Sequence, residues 1–377
     1  MVFMADPLTR TAPVRTRKAE PVSPDTLRRR IRASGTATVG VEEEYLLVDT
    51  LGRPVPAATR ISERACGDPR LRIELPVCQI EMATRPRRRL VDIEADLRAG
   101  RSAVKRWCEG SAVPLSAAVH PFVDRTPVAG ARARGQVRRY GWLAHRQLVG
   151  ALQVHVAIGD PDLVVAVHDE MRAYLPLVAG LAAAAPYARG HDTGFASIRP
   201  FVTSLLPRQG VPPAFGSLHG YAEALDWAMR TGTIADPTEW WWELRIHPNY
   251  GTIEVRVADA QPTVADAMGV VEFVVVLLRH LTARAAAADL PAPSPTWCID
   301  ENRRAAAMAG LAAPLGDPSG CRRRGDDMVL AIVEELESVQ PVRLARTRAL
   351  VASPAHARMR SWGPRRTVDR LREVFVA

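Results

Sequence analysis

The chain has 377 residues, 47% of them apolar, which suits a globular enzyme built as one large two-layer domain or two closely joined ones. No stretch reaches the roughly 18 to 20 apolar residues that span a bilayer; the longest candidate, Val270 to Leu278, contains Glu272 and stops at Arg279 and His280, which excludes a membrane protein. A net charge of +9 and a pI near 9.8 raise nucleic-acid binding, yet only Lys18 and Lys105 are lysines and acidic residues lie between the arginines, so an anionic small molecule such as a nucleoside triphosphate is the better partner.

Residues 1–34 carry Arg10, Arg15, Arg17 and Lys18 among Pro and Thr, without the apolar core of a secretory signal, and read as a disordered basic leader. Residues 35–377 read as a single catalytic unit. The five cysteines (Cys66, Cys78, Cys108, Cys298, Cys321) are odd in number and form no CxxC pair, so neither a disulfide framework nor a zinc site is indicated and a reducing cytoplasm fits.

In chain order, Val39 to Asp49 alternates with period two and sets Glu42 and Glu44 on one side. Cys78 to Ala83 follows as a second strand, with Gln79 and Glu81 opposing Ile80 and Met82. Arg88 to Glu109 has helical spacing and stops at Gly110. Asp124 to Arg139 reads as a surface loop, and Leu152 to Ile158 as a strand presenting Gln153 and His155. Asp162 to Ala185 predicts a helix that Pro176 kinks or breaks, and 207–216 a loop. Glu243 to His247 and Thr252 to Val257 are strands joined across Pro248-Asn249-Tyr250-Gly251 as a hairpin, presenting Glu243, Arg245 and His247 on one and Thr252, Glu254 and Arg256 on the other. Thr263 to Leu290 starts on a capping box and is apolar almost all round, as a buried helix is; a loop to Pro295 and a helix over Asp326 to Glu337 follow. These elements predict an α+β fold: an antiparallel sheet with helices covering one face and an active site on the other.

A lone carboxylate on a strand is ordinarily a solvated group, but five strands with the same bias argue for a site. Carboxylates two apart on a strand point the same way, so Glu42 and Glu44 can converge on one hard cation, and Glu81 and Glu254 can complete an oxygen-rich site suited to Mg²⁺ or Mn²⁺. His155 offers a further ligand or a phosphate donor, and Arg199, Arg245 and Arg256 offer positive charge for a transferring phosphoryl group. No GxxxxGK[ST], GxGxxG, GxSxG or HExxH motif is present. The run Trp240-Trp241-Trp242 reads as packing in preference to stacking on a purine.

Several segments together resemble the glutamate-cysteine ligase type 2 group, also called YbdK-type carboxylate-amine ligases, of the glutamine-synthetase-like superfamily. They are TVGVEEEYLLVD (38–49), QIEMAT (79–84), HPF (120–122), VHVAIGD (154–160), DTG..S.R (192–199), GVPPAF (210–215), ELRIHPNYGTIEVRVAD (243–259) and ENRRAA (301–306). The resemblance implies a glutamine-synthetase-like sheet and ATP-dependent activation of a carboxylate, by default the γ-carboxylate of glutamate, as an acyl phosphate that the amine of cysteine attacks. It implies metal ligation by Glu42, Glu44, Glu81 and Glu254, catalytic roles for Arg256, Arg245, Arg199 and His155, and nucleotide contacts from Arg256, His247 and Arg245. The partners implied are ATP, an amino acid and an amine, with homo-oligomer formation left open. This chain departs from the family at Gln153, where a histidine is usual, at Ala157 in place of glycine, and at Ala184-Ala185-Pro186 in place of Asn-Ser-Pro. Those departures bear on substrate choice: another amine or amino acid in a specialised pathway, or a nucleotide-binding pseudoenzyme, are the alternatives.

Overall fold

The structure, a computed structural model, describes residues 22–125, 127–128 and 131–376. Its centre is a seven-stranded sheet, antiparallel at every pairing. The strands are β1 (Val39–Val48), β2 (Leu71–Ile73), β3 (Gln79–Ala83), β4 (Val113–Leu115), β5 (Leu152–Val156), β6 (Leu244–Ile246) and β7 (Ile253–Val255). They run in the order β2-β3-β1-β5-β7-β6, with β4 continuing along the far half of β1.

Alternation along these strands separates two faces. Val41, Tyr45, Ile80, Leu152, Val154, Leu244, Ile253 and Val255 are buried and apolar. Against them lies the helical layer, centred on Val264–Ala286, whose run from Met268 to Leu278 is buried throughout. The expected capping box is present: Thr263 accepts from the Asp266 amide at 3.0 Å and donates to its carboxylate at 2.7 Å. The helix Gly325–Val339 adds Val329, Val333 and Leu336 to the same core.

The structure departs from the sequence expectation in three places. Residues 131–140, expected within a surface loop, form a helix; its many arginines hide a periodicity that has few apolar positions to reveal it. The predicted helix over 162–185 is two helices, Val164–Met171 and Leu175–Ala182, joined by a 3-10 turn at Arg172–Tyr174, because Pro176 suits only the first turn of the second helix. Within the expected leader, Pro24–Ala33 is a helix capped by Ser23, with Leu27 and Ile31 one turn apart and fully buried. Arg30 of that helix donates to the Pro248 carbonyl at 2.7 Å, and a Cβ on Gly251 would lie 2.5 Å from the Arg30 carbonyl oxygen, so the helix fixes the β6–β7 turn and requires glycine there. Residues 1–21 of the expected leader lie outside the described residues. Among the described residues no helix is long and apolar enough to cross a membrane.

Candidate active site

Strand register decides which polar groups meet. Glu44 pairs with Glu81, Glu42 with Gln153, His155 with Glu254, and Glu254 with Arg245, so these residues occupy the sheet face away from the core. Glu43 points the other way, into the helical layer, where it meets the fully buried Arg101. With Arg72, Gln79, Arg199, His247, Tyr250 and Arg256, the outer face floors and walls a cavity of about 380 Å³.

Two groups of carboxylates form on that floor. In the first, Glu42, His155 and Glu254 bring one ligand atom each within 4.8 Å of one another. His155 Nδ1 is engaged by the Thr252 hydroxyl at 3.0 Å, while its Nε2 has no hydrogen-bond partner and faces Glu42 Oε1 at 3.7 Å and Glu254 Oε1 at 3.9 Å. A buried ring nitrogen left free between two carboxylates fits a bound divalent cation, and the second nitrogen's hydrogen bond orients the ring as metal-binding histidines require. In the second group, Gln153 Nε2 donates to Glu44 at 3.0 Å and to Glu81 at 3.3 Å, and Arg72 spans the groups by donating to Glu42 at 3.3 Å and Glu81 at 3.1 Å. The expected set of four carboxylates is thus brought to one sheet face but sorted into two pairs, with His155 joining the pair Glu42 and Glu254; Glu42, Glu44 and Glu81 line the cavity, whereas Glu254 is fully buried.

The charges shape the titration of these groups. Burial alone pushes Glu42 up, but the neighbouring His155 and the charge of Arg72 hold it at about 2. Glu254 is likewise pushed up by burial, yet Arg245 and Arg256 hold its carboxyl well below the ordinary range. Arg245 grips it through Nε at 2.5 Å and Nη2 at 3.1 Å and is itself tied to the carbonyls of Thr238 and Trp240 at 2.7 and 2.8 Å. Glu44 moves the opposite way, to about 7, through burial and the charge of Glu74. Burial takes the His247 imidazole down to about 3; its Nδ1 accepts from the amides of Asn249 and Tyr250, each at 3.2 Å, and its ring stacks on Tyr250 at 4.2 Å.

Four arginines therefore border the floor, in two manners. Arg245 and Arg256 pair with Glu254, and Arg256 also donates to the Gln153 oxygen. Arg72 reaches the Tyr250 hydroxyl at 2.7 Å. Arg199 is held at the rim by the carbonyls of Val257 (3.1 Å) and Arg256 (3.2 Å), with Asp259 behind it at 3.7 Å. Cations so placed against ionised carboxylates form a surface able to hold polyanionic phosphate together with a metal ion.

A scan against family models matches glutamate-cysteine ligase family 2 over residues 38–373. The chain belongs to that family. A Rubrobacter xylanophilus protein provisionally named glutamate-cysteine ligase 2-3 is 34% identical over 325 residues, 81% of this chain and 87% of its own. A glutamate-cysteine ligase of Natronomonas pharaonis is 32% identical over 292 residues, 75% of this chain and 81% of its own. In fold the chain is similar to the crystal structure of a glutamate-cysteine ligase from Francisella tularensis in complex with AMP, with a TM-score of 0.67 at 14% identity over 90% of this chain and 88% of that one. A bifunctional glutathione synthetase from Pasteurella multocida gives a TM-score of 0.66 at 15% identity over 93% of this chain and 53% of that one. The sheet is the glutamine-synthetase-like one that the sequence motifs imply, and the family places the chain among the ATP-dependent carboxylate-amine ligases.

Not every family motif of the ligase lies in the cavity. His120 of the HPF segment binds the Gly52 carbonyl at 2.8 Å and caps the amides of Phe122 and Val123 at 3.1 Å, a structural duty in a buried corner. Arg303 of ENRRAA stands behind the cavity wall and grips Glu243 at 2.5 and 2.6 Å. The GVPPAF loop is held where Asp169 accepts from the amides of Phe215 and Gly216. Of the three tryptophans, Trp240 stacks on Phe215 at 5.7 Å inside the core, whereas Trp241 lines the cavity, edge-on to Tyr140 at 5.9 Å. Arg72 and Gln79 escaped the sequence reading as site residues. Arg72 sits on a three-residue edge strand too short to show a period, although Arg72 and Glu74 do alternate with Leu71 and Ile73.

Proposed function

We propose that this ligase couples ATP cleavage to amide formation between the γ-carboxylate of glutamate and the amine of cysteine, through a γ-glutamyl phosphate, with residues 24–377 acting as one catalytic unit. The observation that carries the reading is the convergence of Glu42, His155 and Glu254 beside Arg245 and Arg256 on one buried sheet face. Glu42, His155 and Glu254 would hold Mg²⁺ or Mn²⁺, with Glu44 and Glu81 next to them; a bound divalent ion supplies charge neutralisation for phosphate oxygens.

The protein's own groups act as follows. Arg256, whose guanidinium is shared between Glu254 and Gln153, lies beside the metal-binding triad and stabilises negative charge developing on the transferred phosphoryl group. Arg245 fixes the Glu254 carboxylate, and Arg199 adds positive charge at the rim, with Asp259 at 3.7 Å behind it. His247, neutral and locked by two backbone amides, serves as a flat wall with Tyr250 and not as a proton carrier. Attack by the amine on the acyl carbon forms the amide bond and releases inorganic phosphate, and the amine's proton leaves to a neighbouring base.

The test is phosphate release from ATP with Mg²⁺ and glutamate, cysteine, both, or a panel of other amino acids and amines, with products identified by mass spectrometry. Release that needs glutamate and cysteine together and yields γ-glutamylcysteine supports the assignment. The second reading keeps the chemistry and changes the amine; it is favoured by Gln153, an amide in the centre of the floor where the family resemblance implies imidazole, and predicts turnover with another pair.

A further inference from the structure

Gln79, on β3, lies on the cavity floor with 2% of its surface exposed. Its Nε2 donates to Glu44 Oε2 at 3.1 Å and to the Val149 carbonyl at 2.7 Å. The Val149 carbonyl can only accept, so turning the amide over would set oxygen against oxygen at 2.7 Å, and that contact fixes the orientation of the side chain. Its Oε1 is consequently a buried acceptor with no donor. Buried carbonyl oxygens in folded proteins are paired, and an unpaired one in a cavity wall is a place for a ligand's N–H or O–H. Gln136, from the helix Ala131–Tyr140 on the cavity wall, is 8% exposed, and its Oε1 also has no partner.

The surroundings select among donors. Gln79 touches Glu44, and Gln153 links Glu44 to Glu81, so two carboxylates crowd this end of the floor and a donor that carries positive charge relieves the crowding. Phosphate, carboxylate and ether oxygens have nothing to offer an acceptor. We infer that Gln79 is a specificity-determining residue that receives a substrate's primary ammonium group through Oε1, with Gln136 as a second acceptor. The inference rests on the ligase reading above, in which two groups have this chemistry: the α-ammonium of the amino acid whose side-chain carboxylate is activated, and the amino group of the acceptor as it enters.

Calorimetric binding to the full chain, with Mg²⁺ and a non-hydrolysable ATP analogue, separates the two sources. L-Glutamate is compared with glutarate, and L-cysteine with 3-mercaptopropionate, each pair differing only by the amino group. The wild type prefers the amino member of at least one pair, and the pair that shows the preference names the source. Gln79→Met keeps the length of the side chain, removes the amide and reduces that preference about 10-fold or more, as loss of a hydrogen bond to a charged group does. General damage to the floor weakens both members alike; an unchanged ratio in Gln79→Met overturns the inference, as does a wild type that binds both members of both pairs equally. Gln136→Leu, which alters a helix and leaves the sheet intact, gives the same ratio if Gln79→Met does not fold. Phosphate release followed in parallel keeps the two readings apart: a preference that depends on Gln79 without turnover for any amine retains the ammonium site and removes the ligase assignment. Turnover with an unchanged ratio does the reverse.

Discussion

Arg101 reaches Glu43 from beneath the sheet, with Nη2 2.5 Å and Nε 3.1 Å from its two carboxylate oxygens, and the same guanidinium binds the carbonyls of Gln261, Pro262 and Phe375. Glu43 lies between Glu42 and Glu44, so this contact holds from behind the strand that presents both to the cavity, and it ties in the C-terminal segment as well. Arg101→Met leaves the Glu43 charge buried and alone apart from the Tyr45 hydroxyl at 2.6 Å. Breaking a buried pair in this way costs about 3–5 kcal/mol. Urea denaturation checks it; a change under about 1 kcal/mol would show that the pair is dispensable.

Gln153 is the junction of the floor: its nitrogen serves Glu44 and Glu81 while its oxygen accepts from Arg256. Gln153→Met preserves shape but removes both roles. The expected result is a fall in kcat of about 10- to 100-fold, from the loss of one or two hydrogen bonds to charged groups, with a melting temperature close to wild type. Steady-state kinetics with unchanged kcat would remove Gln153 from the machinery.

Glu44 supplies a pH signature. Its folded pKa of about 7 stands above the 4.5 of a free glutamate, so between those values the folded chain binds more protons than the unfolded one. The Glu44 contribution to stability therefore falls as pH rises through that window, by on the order of 3 kcal/mol in all. Glu44→Gln flattens this fall. Denaturant midpoints measured from pH 5 to 8 in the absence of metal give the comparison, and parallel curves for the two proteins would contradict it.

The tryptophans separate packing from contact with ligand. Trp240, 6% exposed and stacked on Phe215, is a core side chain whose replacement by alanine costs about 3–5 kcal/mol. Trp241→Ala is expected to cost less stability and to raise a substrate KM, since its ring lines the cavity. Equal losses of stability with unchanged KM would give both a purely structural role.

Period-two alternation makes the polar sheet face legible in the amino-acid sequence, because it places Glu42 with Glu44, and Glu254 with Arg256, on one side whatever the tertiary arrangement. It does not say which strands become neighbours. The gathering of His155 with Glu42 and Glu254, and of Gln79 with Glu44, follows from the β3-β1-β5-β7 order, a property of long-range pairing. Pro24–Ala33 escaped for a different reason: two large apolar residues among five charged ones define a helix only once a surface exists to bury Leu27 and Ile31. Arg303 escaped because its role is read from its contact with Glu243, 60 positions earlier in the chain.

In the proposed reading, metal and phosphate binding at this face depend most directly on Glu42. Mg²⁺-dependent phosphate release from ATP, with the substrate pair that the wild type uses, is compared between wild type and Glu42→Gln across a metal titration, with circular dichroism melts beside it. The expected result is at least a 100-fold loss of turnover, or a correspondingly raised Mg²⁺ requirement, at a nearly unchanged melting temperature, roughly the scale on which charge-stabilising groups act. Turnover and metal dependence close to wild type would show that the polar face of the sheet is not where the metal and the phosphate meet.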